Sequence, residues 1–232
     1  VRCALGWACW KTYVGRPDIK SRGSVACDAI KVLGAGLTSL DGGTEEALAV
    51  FNAELAMERH LNLSKQHFFA TLGNIATCYN ALGRQAEALI TFRDVFREKK
   101  ALLGAANPST IASCINLVDA LIDHIDELGL DEARSILQEM LPVVCEALGH
   151  DHQWTLHLRR LKARTHWANW DDANNVPLAD CLEAERILED ACRRATRALG
   201  PLHPETKSSQ NELGIVKKIV ARGGRPIGKG PK

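Results

Sequence analysis

The sequence lacks the short motifs that identify common enzyme classes. It contains no Gly-x-Ser-x-Gly of a hydrolase, no Gly-Lys-Ser/Thr loop of a phosphate-binding NTPase and no His-Glu-x-x-His of a zinc protease. Paired carboxylates such as Glu45-Glu46 stand at predicted helix starts, where they complement the helix dipole. We therefore predict a protein with no catalytic residues, no cofactor and no bound metal.

Long apolar runs are missing as well. No stretch approaches the roughly 18 to 20 consecutive apolar residues that a membrane-spanning helix needs, so we expect no membrane association. The 232 residues are 46% apolar and 25% charged and show no signal-peptide pattern, which is typical of a soluble globular protein. We expect a cytoplasmic protein, and the opening Val1-Arg2-Cys3, without an initiator methionine, indicates a fragment of a longer chain.

An excess of one charge is also absent, because 29 basic and 28 acidic residues leave a net charge of only +1. The basic residues are concentrated at the two ends, which leaves residues 21–216 with a net charge of about −8. An acidic body argues against a nucleic-acid-binding surface. Residues 223–232 are basic and rich in glycine and proline, so we expect a disordered tail there.

The eight cysteines include no Cys-x-x-Cys pair. Half of them fall among apolar positions with helical spacing, namely Cys78, Cys114, Cys145 and Cys192. We expect these four to be small hydrophobic residues rather than disulfide partners or metal ligands.

Four segments of the chain begin with an acidic residue followed by alanine. The alanines are Ala47, Ala88, Ala133 and Ala184, with successive spacings of 41, 45 and 51 residues. In the last three segments a glycine lies 16 residues beyond the alanine, where it favours the left-handed conformation that ends a helix. The sequence thus predicts one recurring helix length, with insertions confined to the turns and the largest at residues 169–180.

A second pattern follows each of these glycines. It reads Asn107-Pro108-x-Thr110, His152-Gln153-x-Thr155 and His203-Pro204-x-Thr206. The polar residue can cap a new helix, and the first turn of a helix tolerates proline. His150, His152 and His157 have some likeness to a metal-ligand cluster, but the repeated position of His152 favours capping.

These residues resemble a known repeat. The stretch Asn74-Ile75-Ala76-x-x-Tyr79-x-x-Leu82-Gly83-Arg84-x-x-Glu87-Ala88, followed by Phe92, resembles the tetratricopeptide repeat (TPR). The longer spacing and the junction from Leu199 to Thr206 resemble the repeats of about 42 residues in kinesin light chains and related scaffold proteins. The resemblance covers about residues 44–220 and implies an all-α fold, a right-handed α-solenoid of stacked antiparallel helix pairs that forms a TPR-like superhelix.

The N-terminal end fits this pattern least well. We predict a helix at Val25–Leu40 that pairs with a second helix at Thr44–Leu61. Gly34 and Gly36 lower the helix propensity of the first of these. The sequence accordingly divides into three parts: a poorly defined segment at 1–20, a TPR-like repeat domain at 21–222 and the basic tail at 223–232.

The resemblance also selects candidate binding residues. In such a superhelix the first helix of each pair lines a concave groove, which is the default binding site. The side chains implied to face the groove are Asn74, Thr77, Asn116, Asp119, Arg159, Arg160 and Asn211. Asparagine carries both a donor and an acceptor, so a row of asparagines can hold the backbone of an extended peptide. The two adjacent arginines could then select an acidic group.

These features predict a non-catalytic protein-interaction scaffold whose partner is a protein or a peptide. An alternative is that the chain is the repeat portion of a larger enzyme or signalling NTPase. Self-association through exposed end helices is a further alternative. The last predicted helix, Pro204–Arg222, lacks a partner helix and would then expose Leu213, Val216 and Ile219.

Overall fold

The computed structural model describes residues 19–38, 40, 42–123, 127–168 and 176–224. Nine α-helices, numbered α1 to α9, occupy these residues: Ile19–Thr38, Thr44–His60, Lys65–Ala81, Gln85–Leu103, Pro108–Asp123, Glu127–Leu148, Gln153–Trp167, Leu178–Leu199 and Pro204–Ala221. The prediction of an all-α chain is confirmed. The expected insertion at 169–180 and the expected tail lie largely outside the described residues, as does the segment 1–18.

The chain divides into two compact units, Val1–Leu102 and Leu103–Lys232. In the first unit α1 packs against α2 and α3, and α2 packs against α3. The buried core of this packing consists of Leu37, Ala47, Phe51, Leu55, Ile75 and Cys78. In the second unit each helix from α5 to α9 packs against the next, as expected for helical hairpins that cover one another's apolar faces.

Helix α1 begins at Ile19 rather than at the predicted Val25, and it continues through Gly34 and Gly36. A Cβ atom on Gly34 would lie 2.5 Å from ring atoms of Phe51, so the glycine lets α1 approach α2 closely. Burial of the Phe51 ring against α1 offsets the conformational cost of this glycine. A Cβ atom on Gly36, by contrast, would meet nothing within 4 Å.

The three helix ends predicted from the repeated glycines are confirmed. Helices α4, α6 and α8 end one residue before Gly104, Gly149 and Gly200, which have φ angles of 83°, 87° and 88°. At the earliest junction Asn62 takes the glycine's place with a φ of 48°, and asparagine tolerates this left-handed conformation better than most residues.

The predicted caps are confirmed too. Asn107 Oδ1 accepts a hydrogen bond of 2.9 Å from the Ser109 backbone N–H at the start of α5. His152 Nδ1 and His203 Nδ1 accept the equivalent bonds, each 3.2 Å long, at the starts of α7 and α9. Each histidine therefore satisfies a backbone N–H that the helix leaves without an internal partner.

The threonines of the repeated junctions close these turns. Thr155 Oγ1 donates a hydrogen bond of 2.7 Å to the Gly149 carbonyl, and Thr206 Oγ1 donates one of 2.9 Å to the Gly200 carbonyl. Both threonines are fully buried. The geometry shared by these two junctions thus depends on a threonine hydroxyl that joins the end of one helix to the start of the next.

The prediction that α9 exposes apolar residues is wrong. Val216 and Ile219 are 0% and 1% exposed, and Leu213 is partly buried. Leu188 of α8, Trp167 of α7 and Cys181 of α8 belong to the clusters that cover them. Helix α9 packs against α7 as well as α8, so it is covered although no further helix follows it in the described residues.

The structure describes two residues of the predicted tail. Gly223 and Gly224 end α9 in a turn, with φ angles of 65° and 77°. Gly224 is buried, and its carbonyl accepts a hydrogen bond of 3.3 Å from the Val176 backbone N–H. Residues 225–232 of the predicted tail lie outside the described residues.

Three of the four cysteines expected to act as small hydrophobic residues are buried: Cys78, Cys114 and Cys192. Cys145 is only partly buried. In the described part of the chain, no helix is both long and apolar enough to span a bilayer.

The two glycines of α1 give a matched stability test. Gly34→Ala should lower the free energy of unfolding by about 1 to 3 kcal/mol, because the new methyl group collides with the buried Phe51 ring. Gly36→Ala should leave it unchanged or raise it by about 0.5 to 1 kcal/mol, because it adds helix propensity in open space. Urea unfolding followed by circular dichroism measures both, and equal effects of the two substitutions would contradict the close contact.

Candidate functional site

Helices α5, α7 and α9 are the first helices of the helix pairs in the second unit. They lie side by side, and α7 contacts both of the others. Charged side chains line these contacts at helical spacing, so that each helix turns one row toward its neighbour. We call this set the α5–α7–α9 network: Asp119, Asp123, His157, Arg160, Arg164, Glu205 and Glu212.

Arg160 joins α7 to α9. Its Nε lies 2.9 Å from Glu205 Oε1, and its Nη1 lies 2.5 Å from Glu212 Oε1. The side chain of Arg160 is only 10% exposed, and the two carboxylates are 9% and 13% exposed. Buried charge pairs of this kind are strongly destabilising to break, since the remaining partner stays buried without compensation.

Arg164 joins α7 to α5 one turn further along. Its Nη2 donates a hydrogen bond of 2.6 Å to Asp123 Oδ1, and its Nη1 lies 3.7 Å from Asp119 Oδ1. These side chains are 29% to 46% exposed, so water weakens the pairs relative to those of Arg160. The network is therefore tight on the α9 side and more solvated on the α5 side.

His157 lies between the two halves. Its Nδ1 is 3.1 Å from Glu205 Oε2, and its Nε2 is 3.5 Å from Asp119 Oδ2. Burial alone would lower the pKa of His157, and Arg160, 3.1 Å from Nε2, also opposes protonation. The hydrogen bonds to the two carboxylates outweigh both effects and raise the pKa to about 9. The imidazolium thus connects all three first helices.

The two glutamates of α9 respond differently to this environment. Burial would raise the pKa of Glu205, but its bonds to His157 and Arg160 hold the pKa below the ordinary value. Burial raises the pKa of Glu212 in spite of Arg160, and Glu212 Oε2 has no hydrogen-bond partner among the described residues. Glu205 is therefore the firmly ionised member of the pair.

Arg159, the neighbour of Arg160 in sequence, points to a different helix. Its Nη1 donates a hydrogen bond of 2.9 Å to Asp190 Oδ2 on α8, and its Nη2 lies 2.9 Å from His150 Nδ1. Adjacent residues of a helix are about 100° apart around its axis, so the two arginines cannot share one face. Each guanidinium is already paired within the protein.

The remaining predicted binding residues have varied surroundings. Asn116 of α5 and Asn211 of α9 are exposed, and neither has a hydrogen-bond partner in the part of the chain that the structure describes. Asp119 is partly buried within the network. Asn74 and Thr77 belong to α3 of the first unit, where Asn74 is partly buried and Thr77 is exposed, with its hydroxyl donating to the Gly73 carbonyl.

The sequence reasoning missed most of the network. A usable signal was present, because His157, Arg160 and Arg164 are spaced three and four residues apart on one predicted helix. Glu205 and Glu212 are likewise seven residues apart on the next first helix. Once two first helices are known to be neighbours, complementary rows of charged residues on them indicate which side chains form ion pairs.

The cluster around His152 is engaged in other ways. His152 caps α7, and Asp151 accepts hydrogen bonds from Arg194 and Arg197 of α8, which hold its pKa below the ordinary value. His150 faces Arg159. The described residues contain no group of three or more side chains positioned to hold a metal ion.

Solved structures share this fold. The TPR-like repeats assigned to a kinesin light chain of Podosopora anserina match with a TM-score of 0.66 and 21% identity, over 84% of this chain and 86% of that chain. A second structure of those repeats matches with a TM-score of 0.65 and 21% identity, over 84% of this chain and 87% of that chain. BtubC (BKLC) of P. vanneervenii matches with a TM-score of 0.68 and 14% identity, over 87% and 75% of the two chains.

No protein-family model and no curated protein matches the sequence. The structural matches confirm the predicted fold, an α-solenoid of TPR-like helix pairs of the kind found in the kinesin light chain structures. At these levels of identity the likeness is one of fold.

The bridging role of His157 predicts a pH dependence. A folded-state pKa of about 9, above the ordinary 6.5, adds stability that is complete below pH 6.5 and is lost as the pH rises through 9. His157→Gln should therefore lower the free energy of unfolding by roughly 2 to 3 kcal/mol near pH 6, and by much less near pH 10. Urea unfolding at both pH values measures the difference. His60→Gln, at an exposed site, should show no such trend, and a constant effect of His157→Gln would contradict the bridge.

Proposed function

We propose that the protein is a non-catalytic interaction scaffold that binds an extended peptide segment of a partner protein on the first-helix faces of its repeats. The TPR-like fold supports this proposal, because stacked helix pairs present the first helices as a continuous row of side chains. Polar, exposed positions on such a row suit a peptide better than a buried small molecule.

The observation that carries the proposal is the contrast between the asparagines and the arginines. Asn116 and Asn211 present their amides to solvent on either side of α7, whereas Arg160 is buried and paired. A ligand can reach the amides without displacing an ion pair. Each amide can donate to a peptide carbonyl and accept from a peptide N–H, so recognition of the backbone is the chemistry they favour.

Selection of an acidic group by Arg159 and Arg160 was predicted from the sequence, but the pairing of these arginines within the protein makes it a smaller part of this proposal. Arg159 is bonded to Asp190, and Arg160 is bonded to Glu205 and Glu212. An acidic ligand would have to compete with these carboxylates. We therefore assign the two arginines to the support of the face and the asparagines to contact with the peptide.

The test uses peptides selected on the intact chain. A phage-displayed library of random linear peptides is selected against the wild-type protein, and the affinity of each enriched peptide is then measured by fluorescence polarisation. The variant carrying Asn116→Ala and Asn211→Ala should bind the enriched peptides about tenfold more weakly, equivalent to about 1.4 kcal/mol for two lost amide contacts.

The matched control is Gln138→Ala, which removes an exposed amide from α6, a second helix of the same unit. This variant should bind with wild-type affinity, and circular dichroism should show all variants equally helical. Peptides that bind the asparagine variant as tightly as the wild type would place the binding surface elsewhere. Failure to enrich any peptide would contradict the proposed function itself.

A further inference from the structure

A buried pair of carboxylates lies in the first unit, whereas the α5–α7–α9 network belongs to the second unit. Glu54 and Glu58 are one turn apart on α2, and they are 0% and 2% exposed. Carboxylates are rarely buried to this extent unless each is paired with a cation and fully hydrogen-bonded. The pair therefore requires a physical explanation.

Among the described side chains, one cation lies within ion-pair distance of the pair. Lys31 of α1 places its Nζ 3.4 Å from Glu54 Oε1 and 3.6 Å from Glu58 Oε1. From α3, Thr71 Oγ1 donates a hydrogen bond of 3.0 Å to Glu58 Oε1. Among the described residues, both oxygens of Glu54 and Oε2 of Glu58 have no hydrogen-bond partner. One ammonium group and one hydroxyl thus serve four carboxylate oxygens.

With both carboxylates ionised, Lys31, Glu54 and Glu58 together carry a surplus negative charge. A single proton on the pair removes this surplus and supplies the missing hydrogen-bond donor. Burial raises the pKa of Glu54 to about 7, with Lys31 opposing the shift and the charge of Glu58 adding to it. Among the described side chains, the polar groups that face Glu54 are Lys31 from α1, Glu58 from α2 and Thr71 from α3. His67, the titratable residue one turn before Thr71, is bonded to Ser64 instead.

Helix α1 is the element most able to relieve the surplus charge. It covers the pair, and its departure would admit water to both carboxylates. Its inward contacts include Gly34 against Phe51 and the buried Leu37. Its outward row, Ala29, Val32, Leu33 and Gly36, is exposed and adds little to its attachment. A single helix can open locally as a cooperative unit before the whole domain unfolds.

We propose that α1 is a pH-sensitive helix, docked on α2 and α3 when the Glu54–Glu58 pair holds one proton and loosened when both carboxylates are ionised. The direction follows from linkage. A folded-state pKa of about 7, above the ordinary 4.5, means that docking is most stable at acid pH and weakens as the pH rises through 7. Above neutral pH, opening of α1 would expose the apolar side chains of Phe51, Leu55 and Ile75. This role is independent of peptide binding on the first-helix faces.

Hydrogen–deuterium exchange of the full chain tests the proposal. After correction for the intrinsic pH dependence of exchange, amides of residues 29–38 should lose about tenfold in protection between about pH 6 and about pH 8. Amides of α7 in the second unit should not follow this change. Glu54→Gln should abolish the pH dependence of α1, and Glu46→Gln, at an exposed site on the same helix, should retain it.

Equal protection of α1 at the two pH values would overturn the proposal, as would a parallel loss in α7, which would indicate a global effect. Persistence of the pH dependence in Glu54→Gln would also overturn it. Should that variant fail to fold, the carboxyl ¹³C resonance of Glu54 in the wild-type chain decides the matter. A titration midpoint near 7 supports the proposal, and a midpoint near the ordinary 4.5 overturns it.

Discussion

The structure depends on the need of each helix to cover its apolar row with a neighbouring helix. A single amphipathic helical hairpin cannot bury both of its faces, so each helix must approach the next closely along its length. The repeated alanine of the four segments shows where this approach is closest. Ala47, Ala88, Ala133 and Ala184 are all 0% exposed, and a larger side chain at these positions would push the helices apart. Gly34 serves the same purpose at the contact of α1 with α2.

Close helix packing also decides the state of the charged residues. In the second unit each carboxylate of the α5–α7–α9 network is paired with an arginine or with the protonated His157, so burial strengthens their attraction. In the first unit Glu54 and Glu58 share a single lysine, and burial of the same kind leaves a charge without compensation. The same fold therefore uses buried charge to hold helices together in one unit, while in the other it makes the attachment of a helix sensitive to protons.

The proposed binding surface follows from this division of roles. Side chains that hold the first helices together are paired and partly or fully buried, so the groups left for a partner are the exposed amides beside them. Arg160 illustrates the point. The sequence predicted that it binds a carboxylate of a ligand, but in the structure it is bonded to two carboxylates of the protein, those of Glu205 and Glu212. An arginine on a first helix supports the face when a carboxylate of the neighbouring helix is within reach, and is available to a ligand when none is.

Local signals in the sequence determined the helices, their ends and their caps. Gly104, Gly149 and Gly200 adopt the left-handed conformation because of backbone sterics, and His152 and His203 cap because the next N–H groups have no other partner, so both effects depend only on nearby residues. Tertiary structure alone decided which carboxylates pair with Arg159 and Arg160, the covering of Ile219 and the burial of Glu54 with Glu58. Each of these depends on which helix lies opposite, and the distance in space between residues far apart in the chain is not contained in any local pattern. The sequence names the groups that can pair, whereas packing determines which of them meet.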